Sequence, residues 1–156
     1  MAATLRVGAP APPFRLKAHD GSTVSLAALK GKVVVLYFYP EDDTDVCTAQ
    51  ACSVRDAWDD LAATGAVVLG VSPDGVASHA AFRKKYGLPF TLLADEDHDV
   101  ATRYGAWGPK TLYGNTYVGM HRNAVLIARD GTIAQVFPNV RSKGFGARMA
   151  AAVKKL

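Results

Sequence analysis

Cys47 and Cys52 are the only two thiols in the 156-residue chain, and they stand five residues apart directly after the apolar run Val33-Val-Val-Leu-Tyr-Phe-Tyr39. Thiols placed just past a buried strand suggest redox chemistry, and their spacing makes the suggestion more specific. In a helix, residues five apart lie about 140° apart around the axis with Cα atoms about 8.6 Å apart. A disulfide needs Cα atoms within about 7 Å. The pair therefore cannot bridge inside an intact helix, and a bond between them requires the first turns to unwind. A bond that costs structure to form is more readily reduced, as a cycling disulfide must be.

Cys47 falls where a helix is expected to begin, and free N–H groups with a partial positive charge at a helix N-terminus favour thiolate over thiol. Glu41, Asp42, Asp43 and Asp45 surround it in sequence, and their negative charge opposes the thiolate. A cation from elsewhere is needed. Arg122, just before the strand expected at Ala124–Ala128, arrives there if that strand lies beside Val33–Tyr39. Taken alone, Thr44 reads as a helix cap and Arg122 as a surface charge.

These residues need a scaffold, and the rest of the chain describes one. Gly8-Ala-Pro10-Ala-Pro12-Pro13-Phe14 cannot be helical and reads as an extended lead-in. Phe14 and Leu16, the turn His19–Ser22, and Thr23–Ser25 predict a hairpin that covers a sheet edge. Val33–Tyr39 has the continuous β-branched and aromatic character of a central strand, ended by Pro40. A helix is expected from about Val46 to Ala63, with Val54, Ala57, Trp58 and Leu61 on one face. Then come a strand at Ala66–Val71, a helix ending at Gly87, a short strand at Thr91–Asp95 and a short helix at Asp99–Tyr104. Trp107–Gly119 reads as a looser stretch. Ala124–Ala128 and Ile133–Phe137 flank Asp130-Gly131, a hairpin signal, and Gly144–Lys155 reads as an amphipathic closing helix. Parallel strands in front and an antiparallel hairpin behind predict an α/β, thioredoxin-like fold: a mixed central sheet flanked by helices, with an N-terminal hairpin. With 49% apolar residues and no linker or repeat, residues 1–156 are expected to form one domain.

Net charge is +4 with the basic residues of the C-terminal third scattered, so no nucleic-acid partner is expected. The longest apolar stretch, Val33–Pro40, is too short to cross a bilayer, and Met1–Arg6 lacks an apolar leader. A cytoplasmic, reducing location is expected, where transient catalytic disulfides are the usual kind. His19, His79, His98 and His121 show no paired spacing, so neither a metal nor another cofactor is expected. His121, beside Arg122, is the one histidine near the proposed chemistry and reads as an ordinary surface or core residue.

At this point the residues resemble a family. Pro40-x-x-x-Thr44-x-x-Cys47 is similar to the peroxiredoxin active-site pattern. Tyr37-Phe-Tyr-Pro-Glu-Asp-Asp-Thr44 followed by Cys47-Thr48 and Cys52 resembles the bacterioferritin comigratory protein (peroxiredoxin Q) branch. The likeness extends over Gly8–Phe14, Gly70–Asp74, Tyr86–Asp95 and Tyr113–Tyr117 leading into Arg122. It implies a thiol peroxidase in which Cys47 attacks hydrogen peroxide or an organic hydroperoxide. Thr44 hydrogen-bonds thiolate and peroxide, Arg122 stabilises the charge, and Pro40 shields the site. Cys52 resolves the sulfenic acid as a Cys47–Cys52 disulfide, and a thioredoxin-like donor restores both thiols. It further implies a monomer. Two departures stand out: Asp45-Val46 where the family usually has Pro-Gly, and Gln50 where it often has Glu.

Rival readings are two inert buried thiols, a non-enzymatic binding module, and a thioredoxin-like protein disulfide reductase. The last shares the fold but expects Cys-x-x-Cys, which this chain lacks.

Overall fold

A computed structural model describes residues 5–156. Its main sheet has seven strands. The central strand is β3 (Val34–Phe38), all of whose residues are at most 1% exposed. Such burial on both faces explains why the run reads as uninterrupted apolar sequence rather than alternating. It pairs in parallel with β4 (Val67–Ser72), which pairs in parallel with β5 (Thr91–Ala94). On its other side β3 meets β8 (Ala124–Ile127) antiparallel, and β9 (Ile133–Phe137) closes that edge.

The hairpin β1 (Arg15–Ala18) and β2 (Thr23–Ser25) covers the far edge beside β5. The proline-rich lead-in lies against the start of β9: the Gly8 amide donates to the Ile133 carbonyl, and the Ala11 amide to Gly131. The thioredoxin-like arrangement expected from the sequence is present.

Helices divide between the two faces. Val33, Val35, Tyr37 and Tyr39 point to the side packed by α1 (Asp45–Asp56), α3 (Val76–Tyr86) and α5 (Phe145–Lys154). Val34, Leu36 and Phe38 point to the side packed by the lead-in and α4 (Asp99–Arg103). Two glycines permit close approaches on the first side. A Cβ on Gly70 would meet the Tyr37 ring at 3.1 Å, and one on Gly146 would fall 2.2 Å from the Ser53 carbonyl oxygen. The second contact is where α5 crosses α1, with the Gly146 amide donating to Ser53 Oγ at 3.0 Å. Helix α1 is thus pinned immediately beyond Cys52.

Two elements differ from expectation. The single helix Val46–Ala63 is two, α1 and α2 (Trp58–Ala63), because the chain leaves helical geometry at Ala57, whose amide is shared between the Ser53 and Val54 carbonyls. The looser stretch is instead a separate hairpin of β6 (Trp107–Leu112) and β7 (Asn115–Met120). Its two-residue turn has Tyr113 at φ +51° and Gly114 at φ +79°, the geometry whose twist suits tight hairpins.

Candidate active site

Cys47 is the third residue of α1 and only 2% exposed. The amides of Asp45, Val46 and Cys47 have no protein acceptor among the described residues, since the first helical bond runs from the Thr48 amide to the Thr44 carbonyl at 2.8 Å. These orphan donors, with the helix dipole, put partial positive charge at the end of α1 that carries Cys47.

Arg122 supplies the cation. Its two terminal nitrogens each lie 3.4 Å from Cys47 Sγ, and Nη1 also donates to Gln50 Oε1 at 2.7 Å. The position follows from strand pairing. β3 and β8 run in register Tyr37 to Ala124, and the Phe38 amide donates to the Asn123 carbonyl at 2.8 Å. Arg122 is thereby carried to the C-terminal end of β3, where α1 begins. Its own carbonyl is tied to the Val140 amide at 2.7 Å. Gln50 is fully buried and holds the guanidinium with a neutral oxygen, leaving the whole positive charge to the sulfur.

The acidic neighbours that oppose a thiolate in sequence are engaged elsewhere in space. Asp42 faces α3, where His79 Nδ1 lies 2.8 Å from its Oδ2 and Ser78 donates to the same oxygen at 2.8 Å. Asp43 accepts from Lys85 Nζ at 2.7 Å and the Tyr86 hydroxyl at 2.6 Å. Those two hydrogen bonds hold the Asp43 carboxyl below its usual range. Because a depressed carboxyl contributes stability only while ionised, this tie persists above the ordinary value of 3.8 and is lost as pH falls below it. Glu41 and Asp45 are exposed.

Thr44 is the N-cap residue of α1, with extended backbone at φ −89° and ψ 158°. Its hydroxyl makes neither the helix cap that the residue alone suggests nor the bond to the sulfur that the resemblance implies; it donates to the Glu41 carbonyl at 3.1 Å. With its hydrogen so committed, the oxygen offers its remaining lone pairs as acceptors. Pro40 is half-buried between β3 and this loop. Cys52 is half-buried on the same unbroken helix as Cys47, and both thiols are free. His121 Nε2 donates to the Pro109 carbonyl at 3.0 Å and is no part of this cluster.

Sequence reasoning missed one group. Asp42, Asp74 and His79 meet with their nearest polar atoms all within 4.8 Å of one another. Nothing in the spacing of residues 42, 74 and 79 announces this. Their atoms are already engaged: Asp74 Oδ2 accepts from the Asp42 amide and the Ser72 hydroxyl, both at 2.7 Å. His79 Nε2 faces the Leu93 carbonyl at 2.9 Å.

A guanidinium and a helix N-terminus thus converge on one buried thiol. Comparison with known proteins assigns its family, because the model of the AhpC/TSA family matches residues 7–136. The chain belongs to the AhpC/TSA family. Within it, the chain is a peroxiredoxin of the bacterioferritin comigratory protein branch. It is 47% identical over 141 residues to a putative peroxiredoxin bcp of Coxiella burnetii, an alignment spanning 90% of this chain and 93% of that protein. It is 41% identical over 140 residues to peroxiredoxin Bcp of Bacillus subtilis, spanning 90% and 89%. The bacterioferritin comigratory protein of Xanthomonas campestris, whose structure was solved in connection with alkyl peroxide reduction, superposes with a TM-score of 0.89 at 30% identity, over 98% of each chain. This peroxiredoxin is therefore thioredoxin-like in fold and a thiol-dependent peroxidase in class. Among its described residues no helix is long and apolar enough to cross a membrane.

Proposed function

We propose that Cys47 is the peroxidatic thiol and Cys52 the resolving thiol of a peroxidase that reduces hydrogen peroxide and organic hydroperoxides. The observation that carries this reading is the pair of 3.4 Å approaches from Arg122 to Cys47 Sγ. The thiolate attacks the terminal peroxide oxygen. An S–O bond forms as the O–O bond breaks, giving a Cys47 sulfenic acid and an alkoxide or hydroxide that takes up a proton and leaves as alcohol or water.

Arg122 and the free amides of the first turn face the charge that builds on the oxygens. Thr44, its own hydrogen on Glu41, accepts the peroxide hydroxyl and sets the angle of attack. Pro40 keeps water from the sulfur.

Resolution follows from helix geometry. Cys52 lies on the same helix, so its thiol reaches the sulfenic sulfur only once the first turns of α1 unwind; the disulfide then forms with release of water. Unwinding exposes Cys47, Gln50 and Ala51, all buried, and Asp45 in the first turn favours the wound helix through the dipole. The pin between Ser53 and Gly146 sets the boundary beyond which α1 stays folded. A thioredoxin-like dithiol reduces the disulfide and returns both thiols, and the enzyme works as a cytoplasmic monomer without cofactor.

The Cys52→Ser variant tests the division of labour. It should reduce one equivalent of peroxide at the wild-type rate and then stop, with thioredoxin-supported turnover reduced more than about a hundredfold. Steady-state activity equal to wild type would show that Cys52 does not resolve.

A further inference from the structure

His79 takes no part in the chemistry above, yet it is fully buried and titratable. We propose that His79 is a positioning residue: with the α3 residues around it, it clamps the loop Pro40–Thr44 in the shape that presents Cys47, and so opposes the unwinding that resolution needs. The inference rests on the reading of Cys47 as the reactive thiol, although its principal test does not.

Two consecutive aspartates at the centre of the loop are both held by α3. Asp42 Oδ1 accepts from the Tyr39 hydroxyl at 2.6 Å, while Oδ2 accepts from Ser78 and faces His79 Nδ1, both at 2.8 Å. The other ring nitrogen faces the Leu93 carbonyl of β5. A carbonyl only accepts, so Nε2 donates to Leu93, and a second proton lying between Nδ1 and Asp42 Oδ2 completes the bridge from the loop through the ring to the sheet backbone. The imidazole is 0% exposed and the Asp42 side chain 4%, so water cannot replace either partner. One residue on, Asp43 adopts a left-handed backbone at φ +61°, a turn conformation that aspartate takes up more readily than most residues with a side chain. Lys85 and Tyr86, at the other end of α3, hold its carboxyl. Ser78 and His79 at one end and Lys85 and Tyr86 at the other thus fix the loop that ends in Thr44.

The clamp stops where the moving part begins. No side-chain bond of α3 reaches the first turn of α1 among the described residues. Among the described residues, the one side-chain hydrogen bond between the two helices runs from Arg55 Nη1 of α1 to the Tyr86 carbonyl at 2.8 Å, and Arg55 lies beyond Cys52. Releasing the clamp therefore frees residues 40–48 while the body of α1 stays on α5. This predicts opposite effects on the two halves of the cycle: slower attack on peroxide, because Thr44 and the amides lose their aim, and faster closure of the disulfide, because the folded loop competes less well. A residue that merely supported global stability would not split them.

The test uses the whole reduced protein and the variants His79→Leu, which keeps the volume and removes both bonds, and His79→Asn, whose amide nitrogen can still reach Asp42. Deuterium uptake in peptides covering residues 40–48 should rise about a hundredfold in H79L with the remaining peptides unchanged, and H79N should restore most of the protection. After peroxide addition, sulfenic acid formation in H79L should slow about tenfold while disulfide closure accelerates. Uptake unchanged in folded H79L, or raised uniformly along the chain, would overturn the proposal. Should H79L not fold, Tyr86→Phe decides at the other end of the clamp. It removes one hydroxyl and should raise uptake several-fold in the same segment, and no local rise would overturn the clamp equally. Because deuterium uptake needs no peroxide, a wild-type protein inert to peroxide would refute the assignment of Cys47 while leaving the clamp result to stand or fall alone.

Discussion

The Cys47→Ser variant is expected to consume hydrogen peroxide at least about a thousandfold more slowly than the parent protein. Serine retains the shape of the side chain, and its hydroxyl faces the same Arg122 nitrogens and free amides, so the fold should persist. What is lost is the chemistry: an alcohol is not ionised beside the guanidinium and cannot be oxidised to the equivalent of a sulfenic acid. Peroxide disappearance followed in a single-turnover assay checks this, with circular dichroism confirming an intact fold. Residual turnover within tenfold of wild type would place the reactive thiol elsewhere, and Cys52 is the one other thiol in the sequence.

The second large effect concerns Arg122. Removing it as Arg122→Ala should lower the second-order rate constant for peroxide by about 10²–10³, the usual magnitude for loss of a preorganised donor aimed at developing charge. Arg122→Lys should recover only part of the rate, since one ammonium cannot reproduce two nitrogens on the sulfur with one of them also on Gln50. A rate constant for R122A within threefold of wild type would mean that the helix N-terminus alone activates the sulfur.

Much of this site is visible in the sequence, for reasons that are local. The run Val33–Tyr39 declares a central strand because a strand buried on both faces needs no polar alternation, and Pro40 marks where it ends. Helix geometry then separates Cys47 from Cys52 without reference to any other part of the chain. Arg122 was a conditional placement that depended on β8 lying beside β3, and the observed register meets that condition.

What sequence did not show depends on contacts between distant segments or on weak local signals. The β6–β7 hairpin exposes most of both faces, so burial imposes no apolar alternation along it. Its turn uses Tyr113-Gly114, where a positive φ is usually signalled by asparagine or aspartate before glycine. The Asp42–His79 pair joins residues 37 apart, and in sequence Asp42 reads as one of several acids that oppose the thiolate. Folding reverses that reading, because Ser78, His79, Lys85 and Tyr86 of α3 engage the carboxyl groups of Asp42 and Asp43. The Thr44 hydroxyl shows the same limit on a smaller scale: its offset from Cys47 is legible, but its choice of the Glu41 carbonyl is set by the conformation of the loop.

On the proposed mechanism, Cys47 and Cys52, held apart by an intact helix in the reduced protein, become bonded during each catalytic cycle. Adding one equivalent of hydrogen peroxide to the reduced protein and digesting it under non-reducing conditions tests this directly by mass spectrometry. The expected product is a species lighter by two hydrogens whose peptides are joined through Cys47 and Cys52, and whose formation is reversed by a dithiol. A Cys47 sulfenic or sulfinic acid accumulating while Cys52 remains a free thiol would contradict it.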